Sequence, residues 1–288
     1  MAGILRRIGI TLEMIKWEHS IFALPFALTA TLLAAGGLPP GRTLLWILVA
    51  MVAARSSAMA FNRWADAALD AANPRTQMRA IPAGLLTRQF VLGFTILTAL
   101  LFLLASYELN GLTLALSPIV LVVLFGYSYL KRFTLFAHLG LGLALGLAPT
   151  AAWIAVRGSL DPRILVLTLA VLLWVAGFDV LYACQDFEHD RQVGLHSIPS
   201  AIGLERAFWA ARAFHLAASL TLFLLAVLFH FGWPGYAGVA VVAGLLAYEH
   251  ALVSPRDLSK LNAAFFTMNG VIATVFFAFV SLDLWMKK

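Results

Sequence analysis

NRWADAALDAANPRT, residues 62–76, sets two asparagines, two aspartates and two arginines between two apolar runs, 43–61 and 89–107. Each run is close to the roughly 18 to 20 residues that cross a bilayer as a helix. The whole chain follows that grain: of 288 residues, 62% are hydrophobic and 12% charged, about half the charge fraction of a soluble domain. A β-barrel would alternate apolar and polar residues over segments of about ten. No segment does so, and the expected fold is an all-α, polytopic membrane protein.

Reading outward from that stretch, nine spans are expected, at 19–36, 43–61, 89–107, 111–130, 133–156, 163–183, 206–231, 234–252 and 262–284. Nine is odd, so the termini fall on opposite sides. Placing the N-terminus in the cytoplasm puts 15 of the 20 Lys and Arg residues in or beside cytoplasmic segments, leaving Arg42, Arg157, Arg163, Lys287 and Lys288 outside. The positive-inside rule favours that orientation. Trp17, Trp46, Trp153, Trp233 and Trp285 fall near span ends and read as interfacial belt residues.

The net charge of +6 needs no nucleic acid to explain it. No Lys/Arg cluster alternates with aromatics as such a surface requires, and no protein partner is implied. A single cysteine, Cys184, excludes an intramolecular disulfide and reads as small apolar filler. Residues 1–18 hold Arg6, Arg7, Glu13, Lys16 and Glu18 without an apolar core, so no removable signal peptide is expected. The seven histidines look scattered.

Acids concentrate in two long loops, 62–88 and 184–205. The first reads Asn62-x3-Asp66-x3-Asp70, then Arg75, Arg79 and IPAG at 81–84; the second reads Tyr182-x3-Asp186-x3-Asp190, then Arg191 and IPSAIG at 198–203. Residues three or four apart share a helix face, so Asn62, Asp66 and Asp70 form one stripe. Asp179, Tyr182, Asp186 and Asp190 form another, and Arg55 extends the first into the second span.

Like charges at this spacing repel, and beside a membrane their desolvation adds to the cost. A hard divalent cation compensates: Mg²⁺ takes carboxylate oxygens, keeps waters and is completed by substrate phosphates. No histidine or cysteine enters either stripe, which argues against zinc. Arg75 and Arg79 follow the first aspartate pair and Arg191 the second, Lys131 and Arg132 stand at the cytoplasmic end of the fourth expected span, and acids holding Mg²⁺ beside cations suit a diphosphate. No GxxxxGK[ST] loop is present, so the phosphate is expected on a lipid.

These stretches, with YSYLKR at 127–132 and DVLYACQDFEHDRQVGLHSIPSAIG at 179–203, resemble the UbiA superfamily of intramembrane aromatic prenyltransferases. The resemblance runs over nearly the whole chain, from MIKWEHSIFALPFAL onward. It implies a single domain, 1–288, folded as a nine-helix bundle around a central cavity capped by the two Asp-bearing loops. It places Mg²⁺ on Asp66, Asp70, Asp186 and Asp190, and diphosphate on Asn62, Arg75, Arg79, Lys131 and Arg191. Asp179, Arg55, Tyr127 and Lys131 then carry the catalysis. Tyr127 would face an allylic cation, Asp179 would orient or deprotonate the acceptor phenol, and Arg55 would pair with an acceptor carboxylate.

The implied reaction transfers a polyprenyl group from its diphosphate to a ring carbon of an aromatic acid such as 4-hydroxybenzoate, in quinone biosynthesis. MIKWEHSIFALPFA departs from the R-x-D-K-P-x-G type start of typical 4-hydroxybenzoate enzymes, so a dihydroxynaphthoate-type acceptor for menaquinone is the alternative. The implied place is the bacterial inner membrane, with the site facing the cytoplasm. A cation-coupled transporter is the reading from another class. Transporters set coupling acids near the bilayer midplane, whereas these four fall at expected span ends.

Overall fold

The computed structural model describes residues 2–261 and 264–287, with no strand among them. In chain order the helices are α1 (Ala2–Ile15), α2 (Ser20–Ala35), α3 (Gly41–Ala65), α4 (Ala67–Ala72), α5 (Arg88–Leu109), α6 (Gly111–Leu130) and α7 (Ala137–Arg157). They continue as α8 (Ile164–Ala183), α9 (Phe187–Val193), α10 (Ile198–Ile202), α11 (Leu204–Leu228), α12 (Trp233–Leu252) and α13 (Asn269–Met286).

Among the described residues, eight helices are long and apolar enough to cross a membrane: α3, α5, α6, α7, α8 with its continuation to Val193, α11, α12 and the stretch Phe266–Met286. The first expected span is shorter. α2 holds 16 residues, about 24 Å at 1.5 Å per residue, against the roughly 30 Å of a bilayer core. Its end is set by Gly36 at φ +66, after which the Gly37 N–H closes on the Leu32 carbonyl at 3.0 Å. This is the left-handed stop that glycine supplies. The fifth expected span opens four residues late, at Ala137, because 131–136 run through turns. Asn262 and Ala263, the start of the ninth expected span, lie outside the described residues, as does Lys288.

Helix starts and stops follow local chemistry. The Thr87 hydroxyl accepts from the Phe90 N–H at 3.2 Å and opens α5. Gly158, at φ +66, closes α7 with its N–H on the Ile154 carbonyl at 2.8 Å. Outward faces carry Leu97, Val122 and Leu216, 65%, 71% and 63% exposed. Apolar surface of that kind marks a lipid or partner environment.

The chain forms two compact units, Met1–Ser20 with Leu45–Tyr129, and Ile21–Leu44 with Leu130–Lys288. In the first, Met14, Ile15, Ala60, Leu86 and Val91 make a core on which Trp64 and Ile81 pack. That core holds the polar segment 62–86 at both ends. In the second, Val180, Leu181, Cys184, Ile198 and Phe208 share a core, which grips the segment 184–198 in the same way. Cys184 is 2% exposed, as filler should be.

Within the second unit α7 and α8 approach closely. A Cβ on Gly142 would run into the Leu172 carbonyl, and one on Gly146 would meet the Thr168 carbonyl at 2.8 Å. The small residues four apart let the backbones meet, and the Thr150 and Thr168 hydroxyls bond at 2.6 Å. Trp153, expected in the interfacial belt, is instead buried. It is 5% exposed, with its ring edge-on to Phe229 at 5.8 Å. Trp17, Trp233 and Trp285 are exposed near helix ends, and Trp46 is half-buried.

Candidate active site

The first aspartate segment lies in the first unit and begins inside α3, whose last turn carries Asn62. At Asp66 the helix breaks, with φ −91 and ψ 3, and α4 starts at the next residue. The hydrogen-bond ladder nevertheless continues: Asp66 N–H reaches the Asn62 carbonyl at 2.9 Å, and Asp70 N–H the Asp66 carbonyl at 2.8 Å. Asn62, Asp66 and Asp70 therefore keep the four-residue spacing that stacks them along one face.

Their side chains are tied down. Asn62 Nδ2 donates to Asp66 Oδ2 at 3.2 Å and to Ser128 Oγ on α6 at 3.3 Å. Arg79 Nη1 donates to Asp70 Oδ1 at 2.6 Å. The loop between them folds on itself, with Thr76 Oγ1 donating to the Asp70 carbonyl and the Arg75 N–H to Asn73 Oδ1. Asp66 and Asp70 are 1% and 4% exposed, while Arg75 is exposed.

The second segment, in the second unit, also starts a short helix directly after its first aspartate, but by a different approach. α8 ends at Ala183, a single 3₁₀ turn spans Cys184–Asp186, and α9 begins at Phe187. Asp186 stands at the junction with φ −99 and ψ 8, within a few degrees of Asp66. The surroundings differ. Asp186 and Asp190 are half-buried, and Asp190 Oδ2 accepts from the Ser197 hydroxyl at 3.0 Å. That hydroxyl also accepts from the Ser200 N–H at 3.2 Å, half of a capping box that opens α10. The Lys131 carbonyl accepts from the His196 N–H at 2.8 Å, and the charges acting on Asp190 include Asp186 and Lys131. Arg191 is exposed, its guanidinium 5.4 Å from the Phe187 ring centre.

The remaining expected residues divide between the units. In the first, Arg55 Nη2 donates to the Lys16 carbonyl at 3.2 Å, and Tyr127 and Glu18 are its electrostatic neighbours. Its Nε is buried and meets no hydrogen-bond acceptor among the described residues. In the second, Asp179 Oδ2 lies 2.7 Å from His138 Nδ1.

The donor set fits a hard cation. Asp70 Oδ2 is buried without a hydrogen bond, and a buried carboxylate oxygen left unmatched is costly unless something positive takes it up. Among the described residues no three Asp, Glu, His or Cys side chains form a ready-made cage. Mg²⁺ suits such a place because it is ordinarily held by one or two carboxylates plus water and phosphate.

Three residues escape the sequence reading: Ser128, Ser197 and His138. For the serines no spacing signal exists, since each acts through a long-range or loop contact. His138 did carry a signal. It is the sole titratable residue of the fifth expected span, and an ionisable group within a span is a functional candidate by default.

Comparison with known proteins agrees over most of the chain. Residues 23–271 match the UbiA prenyltransferase family. The 4-hydroxybenzoate octaprenyltransferase of Vibrio cholerae serotype O1 is 33% identical over 261 residues, covering 90% of each chain. That of Cupriavidus metallidurans is 35% identical over 251 residues, covering 86% of this chain and 84% of its own. Among solved structures, a UbiA homolog from Aeropyrum pernix K1 aligns with a TM-score of 0.84 at 29% identity, over 92% of this chain and 98% of its own. A UbiA homolog from Archaeoglobus fulgidus, solved bound to DMAPP and Mg²⁺, aligns with a TM-score of 0.72 over 96% and 99%; at 17% identity this speaks to fold alone.

Proposed function

The chain belongs to the UbiA prenyltransferase family, a membrane-embedded enzyme family, and from that premise we propose that it moves a polyprenyl group from a prenyl diphosphate to a ring carbon of 4-hydroxybenzoate. The observation that carries the reading is the pair of aspartate segments, each starting a short helix after an aspartate with nearly the same φ and ψ, of which the first leaves a buried carboxylate oxygen without a hydrogen bond. The curated relatives named for 4-hydroxybenzoate favour that acceptor.

In this reading Asp66, Asp70, Asp186 and Asp190 hold Mg²⁺, with Asn62 supporting Asp66. The metal, when bound, neutralises the diphosphate and makes it a better leaving group. Arg75, Arg79, Lys131 and Arg191 gather its oxygens. The bond from the prenyl carbon to diphosphate oxygen breaks, and its electron pair leaves with the oxygen. A ring carbon of the acceptor supplies the electrons for the new carbon–carbon bond, and the ring then gives up one proton. Stabilising the departing charge is the largest contribution asked of the protein.

Tyr127 offers its ring face to the allylic cation. Arg55, with its unmatched buried Nε, takes the acceptor carboxylate, and Asp179 orients the phenol or receives its proton. An apolar setting keeps away water that would quench the cation. The reading further takes the chain as one domain with nine membrane-spanning helices in a bacterial inner membrane, N-terminus and site on the cytoplasmic side.

The test is direct. Purified protein is incubated with a prenyl diphosphate, Mg²⁺ and a panel of acceptors that includes 4-hydroxybenzoate and dihydroxynaphthoates. The expected product has the mass of the acceptor plus the prenyl group less one hydrogen. Product with a dihydroxynaphthoate alone would move the enzyme to menaquinone synthesis, and none with any acceptor contradicts the activity.

A further inference from the structure

His138 stands in the first turn of α7, 3% exposed, and bridges two elements of the second unit. Its Nδ1 lies 2.7 Å from Asp179 Oδ2 on α8. The Ile198 backbone N–H points at its Nε2 from 3.1 Å. A backbone N–H can only donate, so Nε2 is the bare nitrogen of the ring, and the ring's proton sits on Nδ1. That proton is donated to Asp179. One residue before Ile198, the Ser197 hydroxyl donates to Asp190. A single buried ring thus links the carboxylate on α8 to the segment that holds the second aspartate pair.

We propose that His138 is a positioning residue for acceptor activation: its Nδ1–H fixes the Asp179 carboxylate, and its Nε2 makes that placement depend on the 197–198 segment beside Asp190. This rests on the reading of Asp179 as the group that serves the acceptor hydroxyl. A carboxylate on a flexible side chain has two torsions to settle, and a directed donor at hydrogen-bond distance settles them at little further cost. The Asp179 side chain is 25% exposed, so it is held by the ring without being sealed by it. Because the bare Nε2 is tied to Ile198, rotation of the ring would break both bonds at once. The placement of Asp179 therefore follows the second aspartate segment.

The two nitrogens of His138 can be replaced one at a time. Asparagine at 138 offers an N–H close to where Nδ1 stands; glutamine reaches towards the position of Nε2. The experiment uses the full chain and measures turnover, the KM for 4-hydroxybenzoate, and Mg²⁺-dependent binding of a non-hydrolysable prenyl diphosphonate. His138→Ala is expected to lower kcat about 100-fold, the usual size of a positioned acid–base contribution, with donor binding unchanged. His138→Asn should recover most of that loss and His138→Gln little of it. His138→Ala added to Asp179→Asn should cost nothing more than Asp179→Asn alone, since both remove one device.

Recovery by His138→Gln but not by His138→Asn would overturn the proposal, because the ring would then serve only the Ile198 N–H. Full turnover in His138→Ala beside a dead Asp179→Asn overturns it too, while leaving the role of Asp179 standing. Full turnover in Asp179→Asn removes the reading on which it rests. Loss of donor binding in His138→Ala would make the ring a prop for the second aspartate segment and refute the acceptor-side role.

Discussion

In residues 62–76 the second aspartate is buried against an arginine; in residues 182–193 its counterpart is half-buried against a serine. In both, the first aspartate has ψ near zero and a short helix starts at the next residue, but the long helix before it runs up to Ala65 in the first and stops at Ala183, one 3₁₀ turn early, in the second. What differs is how the negative charge is compensated. Asp70 has a 2.6 Å ion pair with Arg79 and a spare buried oxygen. Asp190 has one hydroxyl, with burial and Asp186 acting against its charge and Lys131 and His189 acting for it. Four-residue spacing fixes the stacking of carboxylates, but the neighbours decide whether a charge is locked into the fold or left to its ligand.

The sharpest way to break the comparison removes each charge. Asp70→Asn and Asp190→Asn are both expected to cut turnover by about 10³-fold, the size of a lost electrostatic contact to developing charge, with each protein still folded. Retained turnover at saturating substrate and low Mg²⁺ in either variant would remove that segment from the metal site.

The next effect falls on stability and should be lopsided. Arg79→Ala leaves Asp70 buried without its partner and should cost about 3 kcal/mol, read as a lowered midpoint of thermal unfolding in detergent. Lys131→Ala should move that midpoint by about 0.5 kcal/mol or less. Equal shifts would mean that the two segments are compensated alike after all.

Smaller effects separate donor from acceptor. Arg55→Ala should raise the KM for a carboxylated acceptor about tenfold, as loss of a charge-assisted bond does, while leaving that for the prenyl diphosphate in place. An equal change in both would refute the acceptor role. Ser197→Ala removes the cap of α10 and should cost about 1 kcal/mol, together with a raised Mg²⁺ requirement. A stability loss without the Mg²⁺ effect would make Ser197 a cap alone.

The membrane class, most of the helices and the first aspartate stripe were legible in the sequence because they rest on periodicity and spacing, which need only local geometry, whereas the 3₁₀ turn at Cys184–Asp186 interrupts the helix of the second. Helix ends were less so: Gly36 stops α2 short of a full span, and the turns at 131–136 delay α7. Partners that depend on tertiary packing were not legible. Nothing in the spacing of Asn62 and Ser128, or of Asp190 and Ser197, announces a hydrogen bond. Trp153 was misread because proximity to a span end says nothing about a neighbour such as Phe229. His138 was readable in principle, as the sole ionisable residue of its span, but its two partners come from α8 and α10.

The comparison bears most directly on one quantity, the Mg²⁺-dependent binding of a non-hydrolysable prenyl diphosphonate to the purified protein and to its Asp70→Asn and Asp190→Asn variants, followed by calorimetry. The account predicts that the Mg²⁺-dependent affinity is lost in both variants while the proteins stay folded. Wild-type affinity in either one would contradict the claim that both aspartate segments serve the diphosphate.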